Sequence, residues 1–185
     1  MRMKVTFVIA FLLAFSALLP AVAGAASGSA SYQFDLEVPN VSEASNGDRV
    51  SLTGEGEFSL RPNSVTGGGN FTHMFAAGGS LSGTWTATEL LEFQPYGCGV
   101  VHNFPKPGDT TTLPDNFCGG KVKMSVMLTT PLGEISGTLT VFCVIGPNPP
   151  NSIDATHGEG ATLSVPGIIN FNRSAGGDNV IIQEG

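Results

Sequence analysis

Few residues in this chain could do chemistry. Three histidines (His73, His102, His157) and three cysteines (Cys98, Cys118, Cys143) are the side chains best suited to ligation, proton transfer or redox work. No Cys-x-x-Cys pair occurs and no histidine pair lies beside a cysteine, so the spacing fits no zinc pattern. The Gly-x-Ser-x-Gly elbow and the His-Glu-x-x-His metal motif are both missing from the sequence, as is an Asp ladder that would cradle calcium. Gly54-Glu55-Gly56 and Gly67-Gly68-Gly69 open no helical pattern and precede no Lys-Ser or Lys-Thr, so a phosphate loop lacks its donors. Glu55 and Glu57 alternate with glycines on one strand face and read as solvated carboxylates rather than an acid–base pair.

One grouping carries more. Alternation places His73 on an apolar face between Phe71 and Phe75, and extends the same face of the following strand through Trp85 to Glu89. His73, Trp85 and Glu89 are therefore the candidate ligand-binding residues. Enclosed together, they would grip a small molecule, or move a proton between histidine and carboxylate as an isomerase or cyclase does. A plainer role exists for the histidine ring, since a glycine such as Gly83 opposite an aromatic simply makes room for it. No position is assigned to catalysis, to a metal or to a cofactor.

The elements that must position these residues are strands. Tyr32, Phe34, Leu36 and Val38 alternate with polar residues, as do Val50, Leu52, Gly54, Gly56, Phe58 and Leu60. That period of two marks strands with one dry and one wet face. No stretch after residue 26 shows apolar residues at helical spacing. Two segments echo each other: Gly79-Ser80-Leu81-Ser82-Gly83-Thr84-Trp85-Thr86-Ala87 and Gly133-Glu134-Ile135-Ser136-Gly137-Thr138-Leu139-Thr140-Val141. Each reads as the return strand of a hairpin. The first hairpin is expected to close on Ala77-Gly78-Gly79, setting Phe71, His73 and Phe75 against Trp85, Gly83 and Leu81. The second is expected to turn through Thr130-Pro131-Leu132-Gly133, setting Leu128, Val126, Met124 and Val122 against Ile135, Gly137, Leu139 and Val141. Further strands are expected over 158–165, 167–172 and 179–183. The pattern predicts an all-β chain, a single antiparallel up-and-down β-barrel of about eight strands, with a two-sheet β-sandwich as the alternative. Proline-rich segments 94–120 and 146–156 interrupt the alternation as long loops.

Compartment and charge narrow the function. A basic start (Arg2, Lys4), an apolar run over 5–19, Pro20 and then small residues make 1–26 a cleaved secretory signal peptide, leaving 27–185 as a single all-β domain. A run of that length is short for a spanning helix, which needs roughly 20 residues. Export favours a disulfide, and Cys98–Cys118, flanking the first proline-rich segment, is the expected bridge. Cys143 shares a strand face with Leu139 and Val141 and reads as a buried small apolar residue. Losing Arg2 and Lys4 takes the net charge from −7 to −9, with no basic cluster for nucleic acid or anionic lipid. Asn40, Asn70 and Asn172 each begin an Asn-x-Ser/Thr acceptor pattern. The chain is thus expected to be secreted, with no membrane anchor after cleavage, and to bind a small molecule or an extracellular protein without catalysis. A small barrel enzyme or a hydrophobic-ligand carrier is the alternative.

Overall fold

A computed structural model describes residues 30–150 and 159–184. The expected signal peptide and His157 lie outside these residues. The described chain is all β: β1 (Ser31–Glu43), β2 (Arg49–Leu60), β3 (Asn63–Met74), β4 (Ser80–Cys98), β5 (Val100–His102), β6 (Thr110–Thr112), β7 (Phe117–Thr130), β8 (Gly133–Cys143), β9 (Gly160–Val165), β10 (Ile169–Phe171) and β11 (Arg173–Glu184). Eight are long, and β5, β6 and β10 are three-residue strands. The large sheet is antiparallel and runs up and down from β1 to β4 and on through β7, β8, β9 and β10, each pairing with the next, whereas β11 inserts between β7 and β1. The ring closes in part: β11 returns to β1, and β4 pairs with β7.

Closure is uneven along the axis. Cys118 at the start of β7 pairs with Cys98 on one side and Ile181 of β11 on the other. From Gly120 onward that second edge belongs to β8 instead. The sheet forks there, and β8, β9 and β10 continue as a leaf while β11 stays with β1. Two asparagines hold the fork. The Asn179 side-chain amide donates to the carbonyls of Phe142 and Gly160 (2.9 Å each) and to Asn40 Oδ1, and Asn40 donates back to Asn179 Oδ1 at 3.0 Å. Both side chains are fully buried, and their mutual bonds meet the requirement that buried amides be satisfied. Asn40 is therefore no glycan acceptor, whereas Asn70 and Asn172 are exposed.

The interior is filled by side chains at the alternating positions. Phe34, Leu52, Phe58, Trp85, Met124, Leu139, Leu163 and Ile181 are buried in one cluster, each worth about 1.5–3 kcal/mol over an exposed site. Ring and glycine alternate across strands. A Cβ on Gly54 would lie 2.6 Å from Trp85 Cζ2, one on Gly56 2.7 Å from Phe34, and one on Gly83 2.9 Å from Phe71. Inward glycines thus admit aromatic rings and let the sheet coil tightly. At the closed end Tyr32, Phe58 and Phe93 stack with centroids about 5 Å apart, and the Cys98–Cys118 disulfide clamps β4 to β7. Cys143 is buried on the face of Leu139 and Val141, and burial pushes its thiol pKa far up.

The second hairpin has the expected register, Leu128 facing Ile135 and Val122 facing Val141. The first is displaced by two residues: Phe71 faces Gly83 and His73 faces Leu81. Phe75 leaves the strand, and the turn over 75–79 takes Gly78 and Gly79 at φ +97° and +89°. A shift of two preserves every side-chain face, so the ring that Gly83 accommodates is Phe71, not His73. Val38 is exposed because β1 bulges between Leu36 and Asn40. Segment 94–120 is less of a loop than expected, since β4 runs on to Cys98, β7 starts at Phe117, and β5 and β6 form a small hairpin between them.

Candidate functional site

The end opposite the disulfide is open. Turns 44–48, 75–79, 131–132 and 166–168 gather there, and beneath them the lumen keeps a cavity of about 340 Å³. Its floor is Val50, Phe71, Leu128 and Leu163, and its walls include Val165, Ile169 and Phe171. One wall comes from the ring (β2, β3, β4) and the other from the leaf (β8, β9, β10). The rim is unusually oily. Leu132 is 85% exposed and Ile168 67% exposed, yet both also border the cavity.

His73 is a half-buried polar group in a mostly apolar wall that also includes Thr130 and Glu134. Its neighbours explain its orientation. Turn 44–48 is tied by the Ala44 N–H to the Asp48 carbonyl (2.9 Å) and by the Asp48 N–H to Asn46 Oδ1 (3.1 Å). This fixes Asp48 two residues before Val50, the β2 partner of His73, and so on the same face. Asp48 Oδ2 lies 2.8 Å from His73 Nε2, and Oδ1 accepts the Ala76 N–H at 2.8 Å. The Ala76 N–H, and after it the His73 contact, hold the Asp48 carboxyl below the usual carboxylate range. With a carboxylate at Nε2 that nitrogen is the donor, and Nδ1 is the nitrogen that accepts in the uncharged tautomer. Among the described residues Nδ1 has no hydrogen-bond partner. The ring itself is held by Phe75 (centroids 4.3 Å) and by Phe171, edge-on at 5.0 Å.

The three residues singled out by alternation do not meet. His73 borders the cavity. Trp85 is buried deeper in the filled core, its indole N–H donated to the Thr53 carbonyl at 2.9 Å. Glu89 points outward and is exposed. The cause is a bulge in β4: Ala87 faces Val126 but Glu89 faces Ser125. The extra residue, Thr88, reverses the alternation, so Leu90 rather than Glu89 turns inward. Asp48 takes the place that Glu89 was expected to fill. Its sequence signal lay in turn chemistry, an Asn-Gly-Asp corner before a strand, and became informative only through the β2–β3 register.

A second, wetter cavity of about 580 Å³ lies on the flank, bordered by Glu37, Val38, Phe104, Glu159 and Asp178 among others. Burial, and then the neighbouring Asp178, raise the Glu159 carboxyl to about 7. Its Oε1 accepts the Asn179 N–H at 3.3 Å, next to the fork. Glu55 and Glu57 are exposed on the outer face of β2. Among the described residues no group of three or more His, Cys, Asp or Glu side chains could hold a metal ion. No protein-family model, curated protein or solved structure matches this chain.

Proposed function

We propose that this chain is an exported binding domain that holds a small hydrophobic molecule in the mouth of its partly closed barrel. The observation that carries the reading is the mouth cavity, an apolar pocket of about 340 Å³ in a lumen otherwise filled by side chains. A cavity at the low end of the ligand-site range, walled by aliphatic and aromatic groups with one anchored polar ring, has the usual composition of a small-molecule site. The disulfide at the far end suits an oxidising, extracellular or periplasmic setting, and the secretory start of the sequence points the same way.

Titration with the neutral fluorophore N-phenyl-1-naphthylamine tests this. Emission should rise on addition of the full-length exported protein and saturate at one probe per chain. Ile135→Trp, which places an indole in the half-buried rim, should weaken binding about tenfold or more while leaving the far-ultraviolet spectrum unchanged. Equal binding by wild type and Ile135→Trp would overturn the assignment.

A second reading, a small isomerase or cyclase, draws on the Asp48–His73 pair, because a carboxylate that fixes a histidine tautomer is how many enzymes present a general base. Binding is favoured over it because the other carboxylate at the mouth, Glu134, is exposed on the rim, which leaves the proton His73 would take without an opposing acid at its own depth.

A further inference from the structure

The cavity's polar wall constrains what the guest carries, and this inference rests on the binding reading above. Asp48 is a carboxylate held below its usual range and accepts from His73 Nε2. The lining adds a second carboxylate, Glu134, and holds no lysine or arginine. Among the described residues, the arginines at this end of the barrel, Arg49 and Arg173, are both engaged by Glu43. An anionic head group would therefore face the Glu134 carboxylate in the lining and that of Asp48 behind His73, with no lysine or arginine among the lining residues. His73 borders the cavity, and Asp48 takes its Nε2, leaving Nδ1 as the second nitrogen of a ring fixed by Asp48, Phe75 and Phe171.

We infer that the site selects a neutral hydrophobic alcohol or phenol, whose hydroxyl donates to His73 Nδ1 while its hydrocarbon body fills the pocket. A fatty-acid-type anion is selected against by Asp48 and Glu134. A hydroxyl buried without a partner is costly, so the half-buried His73 acceptor, rather than the exposed carboxylate of Glu134, sets the position of the guest's polar end.

Three probes of nearly equal size separate the terms: 2-naphthol, 2-methoxynaphthalene and 2-naphthoate, titrated calorimetrically at pH 7 into the full-length exported protein. The expected order is 2-naphthol about fivefold tighter than the ether, the worth of one net hydrogen bond, with the carboxylate weakest. In His73→Leu the naphthol and the ether should bind alike, and both should still bind. Should that variant fail to fold, ¹⁵N spectra of the wild-type imidazole decide instead: naphthol should shift the His73 Nδ1 resonance, and the ether should not. Equal affinity for naphthol and ether in wild type, or tightest binding of the carboxylate, overturns the head-group inference and leaves the cavity reading intact. No binding of any of the three overturns both.

Discussion

Gly54 shows how tightly this interior is built at the scale of one residue. Its φ is +145°, and a Cβ there would sit 2.4 Å from the Gly68 carbonyl oxygen as well as against Trp85. Gly54→Ala should lower the unfolding free energy by about 2–4 kcal/mol from strain and overpacking, read as an earlier urea midpoint with tryptophan fluorescence as the signal. An unchanged midpoint would contradict the packing described. Asn179→Leu removes the amide that serves Asn40, Phe142 and Gly160. Leaving those buried groups unpaired should cost about 3 kcal/mol, and the double variant with Asn40→Leu should recover part of that loss. At this scale the sequence was only partly legible. His73 could be placed inside by alternation alone. Asp48 could not, because its position depends on which residue of β3 faces Val50, and Glu89 was misplaced because nothing in its own side chain announces the bulge before it.

At the scale of elements the two hairpins make the contrast instructive. Thr130-Pro131-Leu132-Gly133 admits one turn, since proline fixes a backbone angle and the Thr130 hydroxyl bonds both the Gly133 carbonyl and the Leu132 N–H, so its register could be read directly. Phe75 to Gly79 offers two adjacent glycines, and loops of three or five residues both keep Phe71 and Leu81 inside. Facing was legible and register was not. In β4 three register shifts against β7 break the alternation repeatedly, which is why its later half looked like a loop. The clamp between these same strands yields a prediction. Replacing Cys98 and Cys118 together by serine should destabilise the protein by roughly 3 kcal/mol in the chain-entropy account, measured by denaturant titration under oxidising conditions. Cys143 is buried away from solvent and should resist alkylating reagents in the folded double variant. Rapid labelling would contradict its placement.

Two carboxyls tilt the stability of the whole molecule in opposite senses. Glu159 rises from an ordinary 4.5 to about 7 on folding, so between those values the folded chain binds more protons than the unfolded one. Its contribution therefore falls as pH rises from 4.5 to about 7 and is flat above. Asp48 is held below its ordinary 3.8. Its contribution is complete above about 4 and is lost as pH falls through the depressed value. Urea midpoints taken between pH 4.5 and 7.5 should decline in wild type and lose that decline in Glu159→Gln, whereas a decline that persists in the variant would reassign it to another group. The all-β class and the meander were legible at this scale from period-two patterning. The incomplete closure was not, because a fork in a sheet leaves no periodic trace. That fork makes the barrel two bodies rather than one. Six strands form the ring, while the three-strand leaf hangs from the β7–β8 ladder and meets β11 through shared core side chains and the Asn179 amide. Deuterium should enter the β9 and β10 backbone well before that of β2 and β3. Since the oily hollow has one wall on each body, its girth is set by their breathing, and the protein should accommodate guests of differing bulk rather than one fixed shape.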